Sequence, residues 1–167
     1  MDFVLAKWHA DYAGHVAEYA NNKKIADNLR DVFPYPYTLD DARSYVCSCA
    51  ESDELGQLCR AIMINGKAVG SIGIFLREDV YCKSAEIGYW IGEPFWGKGI
   101  MSSAIKELCS MAFEQYDIVR IFAEPYAHNI GSRKALEKAG FEMEGIMVKS
   151  VFKNGVIFDS CMYALVK

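Results

Sequence analysis

Gly97, Lys98 and Gly99 lie in a stretch, Gly92-Glu93-Pro94-Phe95-Trp96-Gly97-Lys98-Gly99-Ile100-Met101, whose residue types suit the holding of an anion. Glycines remove Cβ atoms, so the backbone turns tightly and approaches a ligand closely. Apolar residues at 101, 104, 105, 108, 111 and 112 follow with a helical period. A helix N-terminus presents unpaired N–H groups and a partial positive charge, and Lys98 adds a full one. Phosphate is the usual occupant of such a junction. Two familiar phosphate loops are excluded. No G-x-x-x-x-G-K-[ST] occurs, and Gly97-x-Gly99 lacks the third glycine of a dinucleotide fingerprint. By itself the stretch also reads as a Gly-rich turn with a solvated lysine.

Other chemistries are poorly supplied. Cysteines stand at 47, 49, 59, 82, 109 and 161 without a CxxC pair, and histidines only at 9, 15 and 128, so no zinc pattern results. Several of them lie inside apolar periods, such as Cys109, and read as buried free thiols of a reducing compartment. The formal net charge of −4 disfavours nucleic-acid binding, which needs a basic excess to release counterions. It suits a cationic acceptor instead. Met1-Asp2-Phe3-Val4 has neither a basic n-region nor an apolar h-region, and no apolar run reaches membrane-spanning length. These features predict a cytoplasmic protein without membrane contact. The 167 residues fit one domain, 1–167.

The elements that must position the loop follow from periodicity. Phe3–Trp8 is β-like, His9–Asn21 helical, and Ile25–Asp31 a second short helix. Two prolines alternating with aromatics in Phe33-Pro34-Tyr35-Pro36-Tyr37 break that helix. Thr38, followed by Asp40 and Asp41, caps a helix over Leu39–Cys49. Leu58–Ile64 and Lys67–Leu76 are strands around Asn65-Gly66, the strongest short hairpin signal. Ser84–Ile91 is the next strand, with Glu86, Gly88 and Trp90 on one face. After the loop and a helix over 99–115, Ile118–Ala123 is predicted to run parallel to it. His128–Ala139 is a helix ended by Gly140. Phe141–Phe152 and Val156–Val166 form a last hairpin. The order β-α-α-β-β-β-α-β-α-β-β predicts a mixed α/β (α+β) domain with a central sheet of about seven strands and flanking helices.

This order, with a glycine loop after the third meander strand, resembles the GNAT acyl-CoA N-acetyltransferase superfamily. Glu86-Ile87-Gly88-Tyr89-Trp90-Ile91-Gly92-Glu93-Pro94-Phe95-Trp96-Gly97-Lys98-Gly99 is similar to the strand-loop-helix of its RimJ/RimL-like branch. Asn129-Ile130-Gly131-Ser132 with Glu137-Lys138-Ala139-Gly140-Phe141, and Pro36-Tyr37-Thr38-Leu39-Asp40-Asp41-Ala42, match two further segments of that branch. The resemblance implies acetyl transfer from acetyl-CoA, without a metal, to a primary amine. The acceptor it suggests is a protein N-terminal α-amine, on a ribosomal or other protein. A polyamine, amino acid or aminoglycoside acceptor is the alternative, and a non-catalytic acyl-CoA-binding module a third reading. The CoA pyrophosphate would lie on Trp96, Gly97, Lys98, Gly99, Ile100 and Met101, with Ser102 or Ser103 adding hydroxyls. Trp96 and Met101 depart from the family's polar and small residues at those positions.

Amide formation needs a neutral amine, a polarised thioester carbonyl and a protonated leaving thiolate. The resemblance puts carbonyl polarisation on a backbone N–H around Trp90–Ile91. Glu86 is the first candidate for general base. Glu93 and Glu124 are alternatives, and a peptide α-amine of pKa near 8 is partly neutral without one. The tyrosine many members use as acid is replaced here by Leu136, which reads as core. Ser132 takes its place as partner of the CoA sulfur. Asn129 resembles the CoA-contacting asparagine and is equally a helix N-cap. Arg133 and Lys134 could pair with CoA phosphates but read first as a solvated helix face, and His128 reads as incidental. The acceptor site is expected between the first two helices and the last hairpin, with Arg30, Phe33, Tyr35, Tyr37 and Tyr89 as its residues. Monomer and homodimer both stand open, because an exposed end strand invites pairing.

Overall fold

A computed structural model describes residues 1–167. Its strands form one mixed seven-stranded sheet in the order β1-β2-β3-β4-β5-β7-β6. Two compact units contribute to it: Met1–Gly73 with Tyr89–Ile100, and Ile74–Gly88 with Met101–Lys167.

In the first unit β1 (Val4–Ala6) pairs antiparallel with β2 (Gln57–Ile64), Leu5 opposite Ile62. A single 3₁₀ turn leads into α1 (Ala13–Ala20), then α2 (Lys23–Ala26) and α3 (Leu39–Ala50). The predicted helix over Ile25–Asp31 is displaced and shortened. Asn22 caps it early by accepting from the Lys24 N–H at 2.9 Å. Past Ala26 the chain tightens into three-residue turns, Asn28 N–H to Ile25 O and Leu29 N–H to Ala26 O. Thr38 closes a full capping box with Asp41, worth about 1 kcal/mol. Backbone and hydroxyl hydrogen bonds from Thr38 hold the Asp41 carboxyl below the usual range. β2 turns into β3 (Lys67–Leu76) through Asn65 and Gly66, both left-handed at φ 49° and 77°, as a two-residue hairpin requires. Trp8, Val16, Ala20, Ile25, Tyr37, Val46 and Trp90 make the core here.

Gly70 of β3 has no room for a side chain. A Cβ there would stand 2.6 Å from the Trp90 carbonyl oxygen, a backbone atom that cannot swing aside. Gly70→Ala is therefore expected to destabilise the fold by about 1–3 kcal/mol, read from the midpoint of chemical denaturation.

In the second unit the first half of β4 (Ser84–Ile91) pairs parallel with β5 (Arg120–Ala123), Ser84–Glu86 against Arg120–Phe122. The predicted start of β5 at Ile118 falls two residues early. Val119 instead bridges outward, its N–H to Lys83 O and its carbonyl to Lys167 N–H. α4 (Ile100–Gln115) buries Ala104, Ile105, Leu108, Cys109 and Ala112, the predicted stripe. β7 (Val156–Val166) pairs antiparallel with β5 and with β6 (Glu142–Lys153). α5 (Ile130–Lys138) ends at Gly140, left-handed at φ 96°. The outermost strand, β6, breaks register between Met147 and Val151. There Lys149 is left-handed at φ 55° and its N–H donates to Asp159 Oδ1 at 2.7 Å.

All six cysteines are free, and Cys59, Cys109 and Cys161 are buried, Cys109 as expected from its apolar period. Cys47 and Cys82 are exposed and Cys49 half-buried. Burial pushes the Cys109 thiol up to about 12. No helix is long and apolar enough to cross a membrane.

Candidate active site

The glycine loop starts where β4 ends. A 3₁₀ turn over Glu93–Phe95 follows Gly92, then Trp96, and then Gly97 and Gly99 at φ 71° and 75°. A left-handed backbone costs other residues about 1–2 kcal/mol each, which explains two glycines. A Cβ built on either would meet nothing within 4 Å, so the space in front of the loop is open to a ligand. Ile100 starts α4, which is 16 residues long, and Met101, Ser102 and Ser103 lie on its first turn. Lys98 projects over the Phe95 ring, 5.7 Å from its centroid. Trp96 is 42% exposed, but its indole Nε1–H donates to the Ile91 carbonyl at 2.8 Å and ties the loop to the strand. Its side chain braces the loop where other members carry a polar residue.

Strand geometry separates the two backbone N–H candidates. The N–H of Gly92 donates to Val69 O on β3, and the Trp90 carbonyl points onto Gly70 of the same strand. Alternate residues of a strand direct their N–H groups to opposite edges, so the Ile91 N–H is turned away from β3 and the Trp90 N–H towards it. The Trp90 side chain is core, 8% exposed and edge-on to Phe33 at 6.0 Å.

Glu86 is half-buried, its carboxylate 3.9 Å from the Arg77 guanidinium, which in turn lies over the Phe122 ring. An open groove of about 410 Å³ runs past it, lined by Phe75, Leu76, Arg77, Glu78, Tyr81 and Glu86. The sequence reading missed Arg77, Phe75 and Tyr81; only pairing of the strands brings them to Glu86. Glu93 is withdrawn as a base. Lys24 binds Oε1 and Asn22 Nδ2 donates to Oε2 at 2.7 Å, and these bonds, Lys24 first, hold its carboxyl below the usual range. Glu124 is exposed just past the end of β5.

Asn129 caps α5, its Oδ1 accepting from the Ser132 N–H at 3.2 Å, and Ser132 is half-buried on the first turn. Leu136 is fully buried. Arg133 is no solvated residue, because the helix turns it inward. Its Nη1 donates to Ala127 O at 2.9 Å and its Nε to Tyr163 Oη at 3.2 Å, while the Tyr163 hydroxyl donates to Glu137 at 2.8 Å. His128 is exposed and T-shaped against Phe158.

The predicted acceptor residues divide. Arg30 and Tyr35 are exposed, Phe33 and Tyr89 half-buried. Tyr37 is a correction: at 6% exposure it packs on Phe33 within the core, and burial, aided by Asp41, pushes its hydroxyl to about 12. Trp90, Ile91, Trp96, Gly97, Lys98, Gly99, Ile100 and all five acceptor residues lie in the first unit. Glu86, Met101, Ser102, Asn129 and Ser132 lie in the second.

A mixed sheet in which one strand passes through a doubly left-handed glycine loop into a long helix is the scaffold of an acyl-CoA transferase. The chain belongs to the GNAT acetyltransferase family: the Acetyltransferase (GNAT) domain matches residues 2–142. It is 31% identical over 150 residues to "Putative ribosomal N-acetyltransferase YdaF" of Bacillus subtilis (strain 168), covering 89% of this chain and 75% of that one. Among solved structures it resembles the microcin C7 self-immunity acetyltransferase MccE in complex with acetyl-CoA and AMP, with a TM-score of 0.85, 25% identity, and 99% of this chain and 93% of that one covered. It shares the fold of RimL, a ribosomal alpha-N-protein acetyltransferase in complex with coenzyme A, at a TM-score of 0.86 and 23% identity, over 98% of this chain and 93% of that one. The protein is an acetyl-CoA-dependent N-acetyltransferase.

Proposed function

We propose that the acceptor is the N-terminal α-amine of a protein. The observation that carries this reading is the shape of the groove beside Glu86. It is an open surface depression, whereas a small amine is usually enclosed by its pocket. A peptide terminus enters such a groove and leaves the rest of its chain outside. The ribosomal acceptor in the names of YdaF and RimL supports the same reading.

The residues then divide the chemistry. Acetyl-CoA supplies the acetyl group and departs as free CoA. The backbone N–H groups at Gly97–Met101, with Lys98 and the Ser102 hydroxyl, hold its pyrophosphate, and Asn129 lies beside the carrier arm. The Ile91 N–H donates to the carbonyl oxygen as negative charge develops there. Glu86 takes the proton from the amine. Ser132 donates a hydrogen bond to the leaving sulfur, and a proton from solvent, matched by the one Glu86 gives up, lets CoA leave as the thiol. Arg77 orients Glu86, and Phe75 and Tyr81 form apolar walls.

Release of free CoA, followed against a panel of N-terminal peptides, polyamines, amino acids and aminoglycosides, tests the acceptor. Peptides are expected to show kcat/KM at least about tenfold above any small amine, equivalent to about 1.4 kcal/mol of transition-state preference. A small amine as best acceptor would overturn the reading. Tight CoA binding with no turnover on any acceptor would favour a binding module.

A further inference from the structure

The turn that leads into the glycine loop carries a charge of the wrong sign for its ligand. Glu93 is the only acid between Gly92 and Gly99 and stands four residues before Gly97. Four residues span at most about 13 Å when extended, and the 3₁₀ turn over Glu93–Phe95 makes the path shorter. At about 0.01 M salt the Debye length is about 30 Å, so a bare carboxylate at that distance repels a bound pyrophosphate.

The carboxylate is not bare. Lys24 engages Oε1, and Asn22 donates to Oε2 at 2.7 Å. The two residues are themselves fixed to one another, because Asn22 Oδ1 accepts from the Lys24 N–H at 2.9 Å. Beside them Tyr19 packs on Gly92 so closely that a Cβ there would stand 2.8 Å from its ring, and it meets Phe95 edge-on at 5.7 Å. The start of α2 is thus clamped to the turn by two hydrogen-bonding side chains, with an aromatic contact alongside.

We infer that Lys24, positioned by Asn22, is an electrostatic shield for the acyl-CoA anion. It neutralises Glu93 so that the glycine loop presents a net positive field. Lys24 acts through Glu93 and is a positioning residue for acetyl-CoA binding. The inference rests on the assignment of Gly97–Met101 as the pyrophosphate cradle.

Shielding and simple bracing predict different mutant patterns. A brace is weakened by loss of either partner, and removing both is no better than removing one. A shield is needed only while the charge it covers is present. The experiment measures the dissociation constant of CoA by calorimetry at low salt for wild type, Lys24→Ala, Glu93→Gln and the double variant, with thermal midpoints as a control for folding. Lys24→Ala is expected to weaken CoA about 5–10-fold, and Glu93→Gln to bind as well as wild type or better. The double variant is expected to return to within about twofold of wild type. The Lys24→Ala defect should shrink towards unity at 0.5 M salt. Glu93→Gln as weak as Lys24→Ala, or a double variant left as weak as Lys24→Ala, would overturn the shield. A glycine-loop variant keeps the two levels apart. If Gly99→Trp leaves CoA affinity intact, the cradle assignment itself is wrong; if it abolishes affinity while the Lys24–Glu93 cycle is flat, only the shield is wrong.

Discussion

Gly99→Trp is expected to abolish acetyl-CoA binding, a loss of at least about 100-fold in affinity, or roughly 2.7 kcal/mol. Two effects combine. Gly99 is left-handed at φ 75°, where a residue with a Cβ costs about 1–2 kcal/mol. That cost falls on the loop conformation, and Gly99→Ala isolates it. The second effect is occupancy. Nothing lies within 4 Å of a Cβ at Gly99, so an indole there clashes with no protein atom near its root and fills the space left for the pyrophosphate. The alanine variant should therefore lose up to about tenfold in affinity and the tryptophan variant nearly all of it, with similar thermal midpoints. Calorimetric titration with CoA checks both. Tryptophan-variant affinity within threefold of wild type would remove the loop as cradle.

Glu86→Gln is expected to lower kcat by about 100-fold and to leave CoA affinity within twofold. General-base catalysis contributes about 10²–10⁴ in rate, and glutamine keeps the shape of glutamate but cannot take a proton. The substitution is gentle on the fold, because Glu86 is only half-buried and glutamine keeps its shape beside Arg77, 3.9 Å away. Single-turnover rates of acetyl transfer to a peptide, measured across pH, provide the check. A near-wild-type rate would mean that the α-amine reacts in its own neutral fraction, with Glu86 serving only to hold the acceptor.

The strands and their turns were legible because their signals are local. Asn65-Gly66 demands two left-handed residues, and the bounds of β3 and β4 came out as predicted. Thr38 with Asp41, and Gly140 after α5, are equally local. The glycine loop was legible for the same reason, since a tight turn into a helix start is written in consecutive residues. What escaped depends on partners far away in the chain. Glu93 looked like a free carboxylate because Lys24 lies 69 residues upstream. Arg133 looked solvated because its acceptor Tyr163 lies 30 residues on. Tyr37 looked like a wall of the acceptor site, and only the packing of Phe33, Trp90 and α3 shows it to be core. The choice between Trp90 and Ile91 needed the neighbouring strand, which fixes the edge each N–H faces.

The break in β6 bears on how the protein behaves when crowded. Its outermost strand is 12 residues long and leaves Ile146, Val148 and Phe152 largely uncovered, a combination that invites runaway stacking of chains. Lys149, left-handed and held by Asp159, interrupts the ladder in the middle. A second shift, between Met143 and Gly145, breaks the same strand, so an incoming strand cannot follow the whole edge in one register. One backbone amide turned inward to β7 thus interrupts the edge along which strands would otherwise stack.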